Sequence, residues 1–246
     1  MRNRIILGTV LTLAAGAAHA QGPTDPPKAI TVTGGATLVS DYRFRGISQT
    51  DKRFAIQGTA TVAHSSGFYG TVWGSSIDDY VYNGADAEID LSAGYRRTTG
   101  GTTFDVGVLY YYYPGSGGIN SDFFEPYASV SHTLGPVTAK GSVAYAPKQA
   151  ALSVGNGKED NLYLAGDLSA GIPNTPIGVT AHLGHTFGPS YLAIGKGYTD
   201  WSLAASVTTS GLTFGVAYVD TDDDFITPSG RNAAKVGVVA SVGAAF

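Results

Sequence analysis

The sequence predicts an all-β fold: a single antiparallel barrel that crosses a membrane with about twelve strands, in a range of roughly 10 to 14. Three observations lead to this fold class. Apolar and polar residues alternate in successive segments, and the connections between these segments alternate in length. After the first 20 residues, no apolar run approaches the length of about 20 residues that a membrane helix needs. If the chain enters lipid, it must do so as strands.

The N-terminal segment is predicted to be a cleaved signal peptide. Residues 1–20 contain Arg2 and Arg4, an apolar run and a small-residue ending, Ala18-His19-Ala20, as secretory signals do. A retained membrane anchor is the alternative, but the apolar run is short for one. A leader at 21–30 and one barrel domain at 31–246 follow, because no charge run or proline-rich linker divides the chain.

The composition excludes several classes of function. The chain has no cysteine, which rules out disulfides, a thiolate nucleophile and thiolate metal ligands. Without Arg2 and Arg4 of the signal peptide, 13 basic side chains stand against 19 acidic ones. This balance disfavours nucleic acid as a partner.

Twelve segments show the period-two alternation of strands. The first, 36–45, places Arg43 and Arg45 on the face opposite Tyr42 and Phe44, and the clearest, 85–96, reads ADAEIDLSAGYR. In chain order the segments are 36–45, 54–64, 68–77, 85–96, 103–113, 123–133, 137–146, 161–170, 177–187, 199–208, 212–220 and 235–246.

The connections form two sets. Short ones lie at 65–67, 97–102, 134–136, 171–176 and 209–211, and longer ones at 46–53, 78–84, 114–122, 147–160, 188–198 and 221–234. Strict alternation puts the two sets at opposite ends of the strands. The pattern is typical of outer-membrane barrels, which have short periplasmic turns and longer extracellular loops.

Aromatic residues fall near the ends of the predicted strands, as in the interfacial girdles of membrane barrels. Those toward the long loops are Tyr42, Phe44, Phe54, Tyr110, Tyr112, Phe124, Tyr145, Trp201 and Tyr218, and those toward the short turns are Phe68, Tyr95, Phe104 and Phe214. Core filling in a soluble barrel is the alternative explanation. The last segment ends at Phe246, and a terminal aromatic on an alternating strand resembles the C-terminal signal of outer-membrane proteins.

Residues 40–80 resemble the TorF family of predicted porins, also called the Gcw_chp family. The matching residues are Ser40, Tyr42, Phe44, Arg45, Gly46, Ser48 and Gln49, then Gln57 and Gly58, then Ser65, Ser66, Gly67, Phe68, Tyr69 and Trp73. The resemblance implies a barrel in the outer membrane of a Gram-negative bacterium. It implies a location and no particular substrate.

Strand parity predicts which side chains face the lumen, because charges on the lipid face of a barrel are costly. The predicted lumen-lining residues are Asp41, Arg43, Arg45, Asp86, Glu88, Asp90, Arg96, Asp105, Glu125, Lys140, Asp167 and His182. This mixed-sign lining could form a selective, water-filled passage. Equally, its charges could pair with one another and fill the lumen.

Evidence for an enzyme is weak in the sequence. No G-x-S-x-G elbow or H-E-x-x-H motif occurs, and no serine has a histidine recognisably placed as its base. His182, which parity directs into the lumen, is better explained as a hydrogen-bonding residue. Asp78, Asp79 and the acidic run at 220–224 lack EF-hand spacing and are interpreted as solvated loop charge. We therefore expect no catalytic residue, no cofactor and no metal.

The function predicted from the sequence is a porin-like channel for passive diffusion of small polar solutes or ions. Its expected partners are outer-membrane lipid, small solutes and the barrel-assembly machinery, the last through the strand that ends at Phe246. The alternatives are a non-conducting barrel with a structural or partner-binding role through its external loops, a barrel hydrolase, and a soluble periplasmic barrel.

Overall fold

The computed structural model describes residues 29–246 as an antiparallel barrel. The predicted signal peptide, 1–20, and most of the predicted leader, 21–30, lie outside the described residues. The strands are β1 (Ile30–Val39), β2 (Ala55–His64), β3 (Phe68–Ser76), β4 (Ala87–Thr99), β5 (Thr102–Tyr112), β6 (Phe123–Leu134), β7 (Val137–Val154), β8 (Gly157–Gly171), β9 (Ile177–Phe187), β10 (Tyr198–Thr209), β11 (Leu212–Thr221) and β12 (Gly237–Ala245). Among these residues, no helix is long and apolar enough to cross a membrane.

The barrel closes between its first and last strands. Each strand pairs with its neighbours in sequence, and β1 pairs with β12, with Gly35 opposite Ala245 and Val39 opposite Ser241. Closure gives the backbone N–H and C=O groups of every strand a partner on both sides, as lipid requires. The predicted fold, a single antiparallel barrel of twelve strands with alternating short turns and long loops, is confirmed.

The outer face of the barrel is apolar. Its exposed aliphatic residues include Leu91, Val106, Val130, Leu164, Leu183, Leu203, Val216 and Val238. Exposed aromatics lie at both strand ends: Phe54, Tyr110, Tyr112, Phe124, Tyr145 and Tyr218 toward the long loops, and Phe68, Phe104 and Phe214 toward the short turns. The distribution fits an apolar band between two aromatic girdles.

One predicted long loop, 147–160, is instead a continuation of two strands. β7 and β8 extend past the barrel and join through Gly155 and Asn156, with Val154 opposite Gly157. Gly155 has a φ of 64°, as the first central residue of a type II′ hairpin turn requires. Register shifts between Gly157 and Asn161 interrupt the pairing, which explains why the alternation was not apparent in the sequence.

The first strand also differs from the prediction. β1 begins at Ile30 and ends at Val39, so the chain leaves the barrel wall before Tyr42. Tyr42 is buried and Phe44 half-buried inside the barrel, and their assignment to the lipid boundary was wrong. The alternation at 40–45 is real but belongs to a separate two-stranded ladder, in which Arg43 pairs with Ser48 and Phe44 with Ile47.

Candidate functional site

The two-stranded ladder at residues 43–48, called here the inner hairpin, lies inside the long-loop end of the barrel. Its turn consists of Arg45 and Gly46, with φ of 47° and 80°. Two successive positive φ values are typical of a type I′ turn, whose twist matches that of a hairpin. The turn places the Arg45 side chain at the tip, pointing into the lumen.

Arg45 connects the hairpin to the far wall. Its Nη2 lies 2.7 Å from Oε1 of Glu125 in β6, and its Nη1 donates to Oδ1 of Asn161 in β8 at 2.8 Å. The guanidinium carbon lies 4.1 Å from the centre of the Tyr163 ring, within the range of a cation–π interaction. Arg45 is thereby fixed by partners on two strands.

Gly46 packs against another part of the wall. A Cβ atom at this position would meet the Cγ2 atom of Thr221 and lie 2.9 Å from the Cβ of Asp200. A side chain there would force the side chains of Thr221 and Asp200 to shift. The hairpin tip therefore spans the lumen from β6 and β8 on one side to β10 and β11 on the other.

The base of the hairpin is held by Asp41 and Arg43. Nε of Arg43 lies 2.6 Å from Oδ2 of Asp41, and the Ser48 hydroxyl donates to Oδ1 of the same carboxylate at 2.6 Å. Arg43 also donates to the carbonyl oxygen of Ala233 at 3.0 Å, and the Ser48 amide donates to that same oxygen at 3.0 Å. These bonds join the hairpin to the last loop, residues 222–236.

The outer side of the first loop, residues 40–54, is joined to the last loop through Asp51. This buried carboxylate accepts hydrogen bonds from Thr227 and Arg231, each at 2.8 Å, and from Arg53 at 3.1 Å. Burial by itself would raise the pKa of Asp51, but hydrogen bonds from Ser229, Thr227 and the two arginines outweigh burial and lower that pKa. Asp51 is therefore a charged junction between the two loops.

Six buried aromatic side chains, called here the aromatic layer, fill the same end of the lumen: Tyr42, Trp73, Tyr82, Tyr111, Tyr113 and Phe123. Tyr111 stacks on Phe123 with ring centres 4.3 Å apart, and the ring centres of Tyr42 and Trp73 are 5.3 Å apart. A cavity of about 20 Å³ is lined by Val39, Asp41, Tyr42, Arg43, Gln57, Val219 and Val239, about enough room for one water molecule. The hairpin and the aromatic layer thus narrow the passage.

Two acidic residues of β4 lie within the aromatic layer. The Tyr42 hydroxyl donates to Oε1 of Glu88 at 3.0 Å. Glu88 is 1% exposed and Asp90 is 5% exposed. Among the described residues, Oδ1 of Asp90 has no hydrogen-bond partner.

Polar and charged side chains, called here the polar layer, line the lumen nearer the short turns: Tyr69, Arg96, Asp105, Tyr127, Lys140, Asp167 and His182. Nε of Arg96 donates to Oδ2 of Asp105 at 2.9 Å, and the Tyr69 hydroxyl donates to Oδ1 of Asp105 at 2.7 Å. The two charged groups retain 20% and 13% exposure. Water can therefore reach this half of the lumen.

His182 lies between two carboxylates of the lumen. Its Nδ1 is 2.7 Å from Oδ1 of Asp167 and its Nε2 is 3.1 Å from Oδ1 of Asp200. Both contacts are hydrogen bonds only when both ring nitrogens carry a proton. The Tyr163 hydroxyl donates to Oδ2 of Asp200 at 3.0 Å. Ser202 is the ladder partner of His182 between β9 and β10, but among the described residues the hydrogen bonds of the His182 ring go to Asp167, Asp200 and Tyr163. The arrangement is therefore a bridging pair of ionic contacts.

Most of the residues that parity assigned to the lumen lie inside the barrel, in three groups. Asp41, Arg43 and Arg45 belong to the first loop instead of the wall, Glu88, Asp90 and Glu125 lie in the aromatic layer, and Arg96, Asp105, Lys140, Asp167 and His182 lie in the polar layer. Asp86 was assigned wrongly. It precedes β4, in the second long loop, residues 77–86, and is exposed.

The sequence analysis missed three lumen residues that hold the network together. Asn161 and Tyr163 lie on the inner face of β8, and Asp200 lies on that of β10. Parity counting from Asp167 would have found Asn161 and Tyr163, and counting from Trp201 would have found Asp200. No local signal indicated that Asp51, in a polar loop, is buried.

A closed antiparallel barrel with an apolar outer face, a charged lumen and an inward-folded loop defines the class of porin-like β-barrels. Within that class, the sequence model of a family described as bacterial protein of unknown function (Gcw_chp) matches residues 20–246, and the chain belongs to this family. The resemblance to Gcw_chp is thereby confirmed, and the TorF name stays a prediction. No curated protein matches the chain.

Solved structures share the fold at low sequence identity. The NanC porin in its rhombohedral crystal form has a TM-score of 0.60 and 13% identity, over 88% of this chain and 99% of that chain. A structure from work on the in-meso crystallization of membrane proteins has a TM-score of 0.56 and 10% identity, over 87% of this chain and 83% of that chain. At such identities the likeness concerns the fold alone.

Proposed function

We propose that this protein is a channel of the Gram-negative outer membrane that passes small polar solutes or ions by diffusion, and that the inner hairpin limits its opening. The observation that carries the proposal is the contrast along the lumen. Partly exposed charges such as Arg96 and Asp105 line one half, whereas the hairpin and aromatic layer narrow the other. A charged lumen that water can reach suits passage of polar solutes.

The hairpin is a suitable gate because it does not belong to the barrel wall. Its two strands pair only with each other, and it is held by side chains such as Arg45 and by the last loop at Ala233. It can therefore move without breaking the barrel's hydrogen-bond ladders. The exposed ring of Phe246 supports the accompanying proposal that the last strand is recognised by the barrel-assembly machinery.

A non-conducting barrel with a structural or partner-binding role is the second candidate. The interlocking of the first and last loops through Asp51 favours it, because such contacts would keep the mouth closed. Within residues 29–246, no comparable arrangement favours a hydrolase. The lumen histidine, His182, contacts carboxylates and the Tyr163 hydroxyl.

A reversible cross-link tests the gate. The chain has no cysteine, and the Ser48 amide lies 3.0 Å from the Ala233 carbonyl oxygen, so the pair Ser48→Cys and Ala233→Cys would join the hairpin to the last loop. Conductance in planar bilayers should fall on oxidation and recover on reduction. The single Ser48→Cys variant is the control, since oxidation cannot cross-link it within one chain.

The outcomes separate the two candidates. If the double-cysteine variant conducts equally well in its oxidised and reduced forms, the hairpin is not the gate. If the wild-type protein and the reduced pair both insert stably and never conduct, the barrel is not a channel, and the structural role becomes the better explanation.

A further inference from the structure

We propose that the lumen passes cations in preference to anions, and that Glu88 and Asp90 are the main determinants of this preference. The inference rests on the proposed channel function and adds the class of solute.

The lumen arginines are each matched by a carboxylate in contact. Arg45 is paired with Glu125 at 2.7 Å and Arg96 with Asp105 at 2.9 Å. Arg43 is paired with Asp41 at 2.6 Å, although its Nη2 atom, which lies beside Gly237, has no hydrogen-bond partner among the described residues. A charge neutralised at such distances contributes little net potential farther along the passage.

Glu88 and Asp90 have no such compensation. Within the described part of the chain, no lysine, arginine or histidine lies within 4.0 Å of either carboxylate. Oδ1 of Asp90 is buried and lacks any hydrogen-bond partner there. A buried carboxylate oxygen without a partner is costly, and a bound ion or water would remove that cost.

The surroundings of the two carboxylates also suit a cation. Glu88 accepts a hydrogen bond from Tyr42, whose ring lies beside Trp73. Aromatic faces stabilise cations at short range, and Tyr42 directly precedes the inner hairpin. A cation passing the hairpin would meet two carboxylates and the rings of the aromatic layer, where an anion would meet charges of its own sign.

The other lumen charges do not reverse this balance. Acidic side chains are Asp41, Glu88, Asp90, Asp105, Glu125, Asp167 and Asp200, and basic ones are Arg43, Arg45, Arg96, Lys140 and His182. The seven acidic side chains outnumber the five basic ones even when His182 is charged. If Glu88 and Asp90 share one proton, the negative charges still exceed the positive ones. Among the residues that the structure describes, Lys140 is a lumen base with no carboxylate oxygen within 4.0 Å, and the Oδ2 atom of Asp167, its neighbour across the ladder, has no hydrogen-bond partner.

Reversal potentials measure the preference directly. The purified wild-type protein would be placed in planar bilayers across a potassium chloride gradient, beside the double variant Glu88→Gln, Asp90→Asn. We expect potassium to be more permeant than chloride in the wild type, and the permeability ratio to fall about twofold or more in the double variant, since the uncompensated carboxylates are gone. Asp86→Asn is the matched control, because Asp86 is exposed outside the lumen and its loss should leave the ratio unchanged.

The single variant Asp90→Asn, which preserves side-chain shape, guards against misfolding of the double variant, and heat-modifiable gel migration verifies each barrel. Conduction without cation preference, or a ratio that both variants leave unchanged, would overturn the selectivity while leaving the channel intact. Stable insertion without conductance in any variant would instead overturn the channel function, and the selectivity with it.

Discussion

Arg45 and Glu125 form a buried ion pair across the lumen, with Nη2 of the arginine 2.7 Å and 2.8 Å from the two carboxylate oxygens. The partners are 80 residues apart in sequence. One sits at the tip of a hairpin that left the wall after β1, and the other lies in the wall at β6. The contact therefore joins the tip of the hairpin to the barrel wall and holds it in the lumen. Removing one partner of a buried pair leaves the other without compensation.

The first prediction concerns this pair. Arg45→Gln should free the hairpin tip, raise single-channel conductance or open probability, and lower the free energy of unfolding by about 3 kcal/mol. Bilayer recordings and urea unfolding in detergent micelles measure the two effects. Arg97→Gln is the control, because Arg97 is exposed near a short turn and its loss should change neither quantity.

The double variant Arg45→Gln, Glu125→Gln completes a thermodynamic cycle. If the residues act as a pair, the double variant should be less destabilised than the sum of the two single variants. Strict additivity would contradict a direct interaction, and unchanged conductance in all three would mean that the pair does not hold the gate.

The second prediction separates backbone strain from close packing. Gly46 and Gly211 share a φ of 80°, but a Cβ at Gly46 would overlap Thr221, whereas nothing lies within 4 Å of one at Gly211. Gly211→Ala should cost about 1 kcal/mol from the unfavourable φ alone. Gly46→Ala should cost about 1–3 kcal/mol more and displace the hairpin, because neighbouring side chains must shift.

Thermal unfolding measures the difference, and conductance reports the hairpin position. Equal destabilisation of the two alanine variants would show that the contact of Gly46 with the wall is loose, and the hairpin would then not be seated against β10 and β11 as described.

The barrel could be predicted from the sequence because a two-solvent environment imposes a strict pattern. Each wall residue faces lipid or lumen, so alternation marks the strands, as at Leu91 and Leu203 on the outer face. The lengths of the connections then indicate which end of the barrel carries the short turns and which carries the long loops. The wall strands were accordingly predicted to within a few residues, apart from β1 and the hairpin of β7 and β8.

The inner hairpin could not be predicted in the same way. Its alternation, with Tyr42 and Phe44 opposite Arg43, is the pattern of a wall strand, whereas in the structure the chain turns back at Arg45 and Gly46, where φ is positive. The ion partners were equally hidden. Glu125 and Asn161 are far from Arg45 in sequence, and parity gives a side chain's face without its contact across the lumen.

The third prediction concerns His182. Substitution with Leu would leave Asp167 and Asp200 in the lumen without the ring that bridges them, at 2.7 Å and 3.1 Å. We expect the free energy of unfolding to fall by about 2–4 kcal/mol. The loss is somewhat less than for a fully buried pair because Asp167 retains 16% exposure. His64→Leu is the control, since His64 is exposed at a short turn.

Activity assays give a further outcome for the same variant. Lipid and peptide hydrolysis should be absent from both the wild-type protein and His182→Leu. Turnover by the wild type that the variant lacks would overturn the channel interpretation in favour of a hydrolase.

The last prediction concerns acid and the loop junction at Asp51. Its pKa is lowered in the folded protein by hydrogen bonds from Ser229, Thr227, Arg53 and Arg231, which outweigh the opposing effect of burial. A lowered folded-state pKa means that Asp51 contributes stability above its unfolded pKa, about 3.9, and that this contribution is lost as pH falls through the folded pKa. The junction between the first and last loops should therefore persist at neutral and mildly acidic pH and weaken only below about pH 4.

The variant Asp51→Asn tests the direction of this pH dependence. At pH 7 the variant should be less stable than the wild type by about 1–3 kcal/mol, toward the lower end because Arg53 and Arg231 are more than half exposed. The difference should shrink as pH falls below about 4, since the wild-type carboxylate then takes up a proton as well. Unfolding at pH 7, 5 and 3, with Asp86→Asn as the exposed control, measures it. A difference that grows toward acid pH would mean that Asp51 is destabilised by burial and that the arginines do not hold the two loops together.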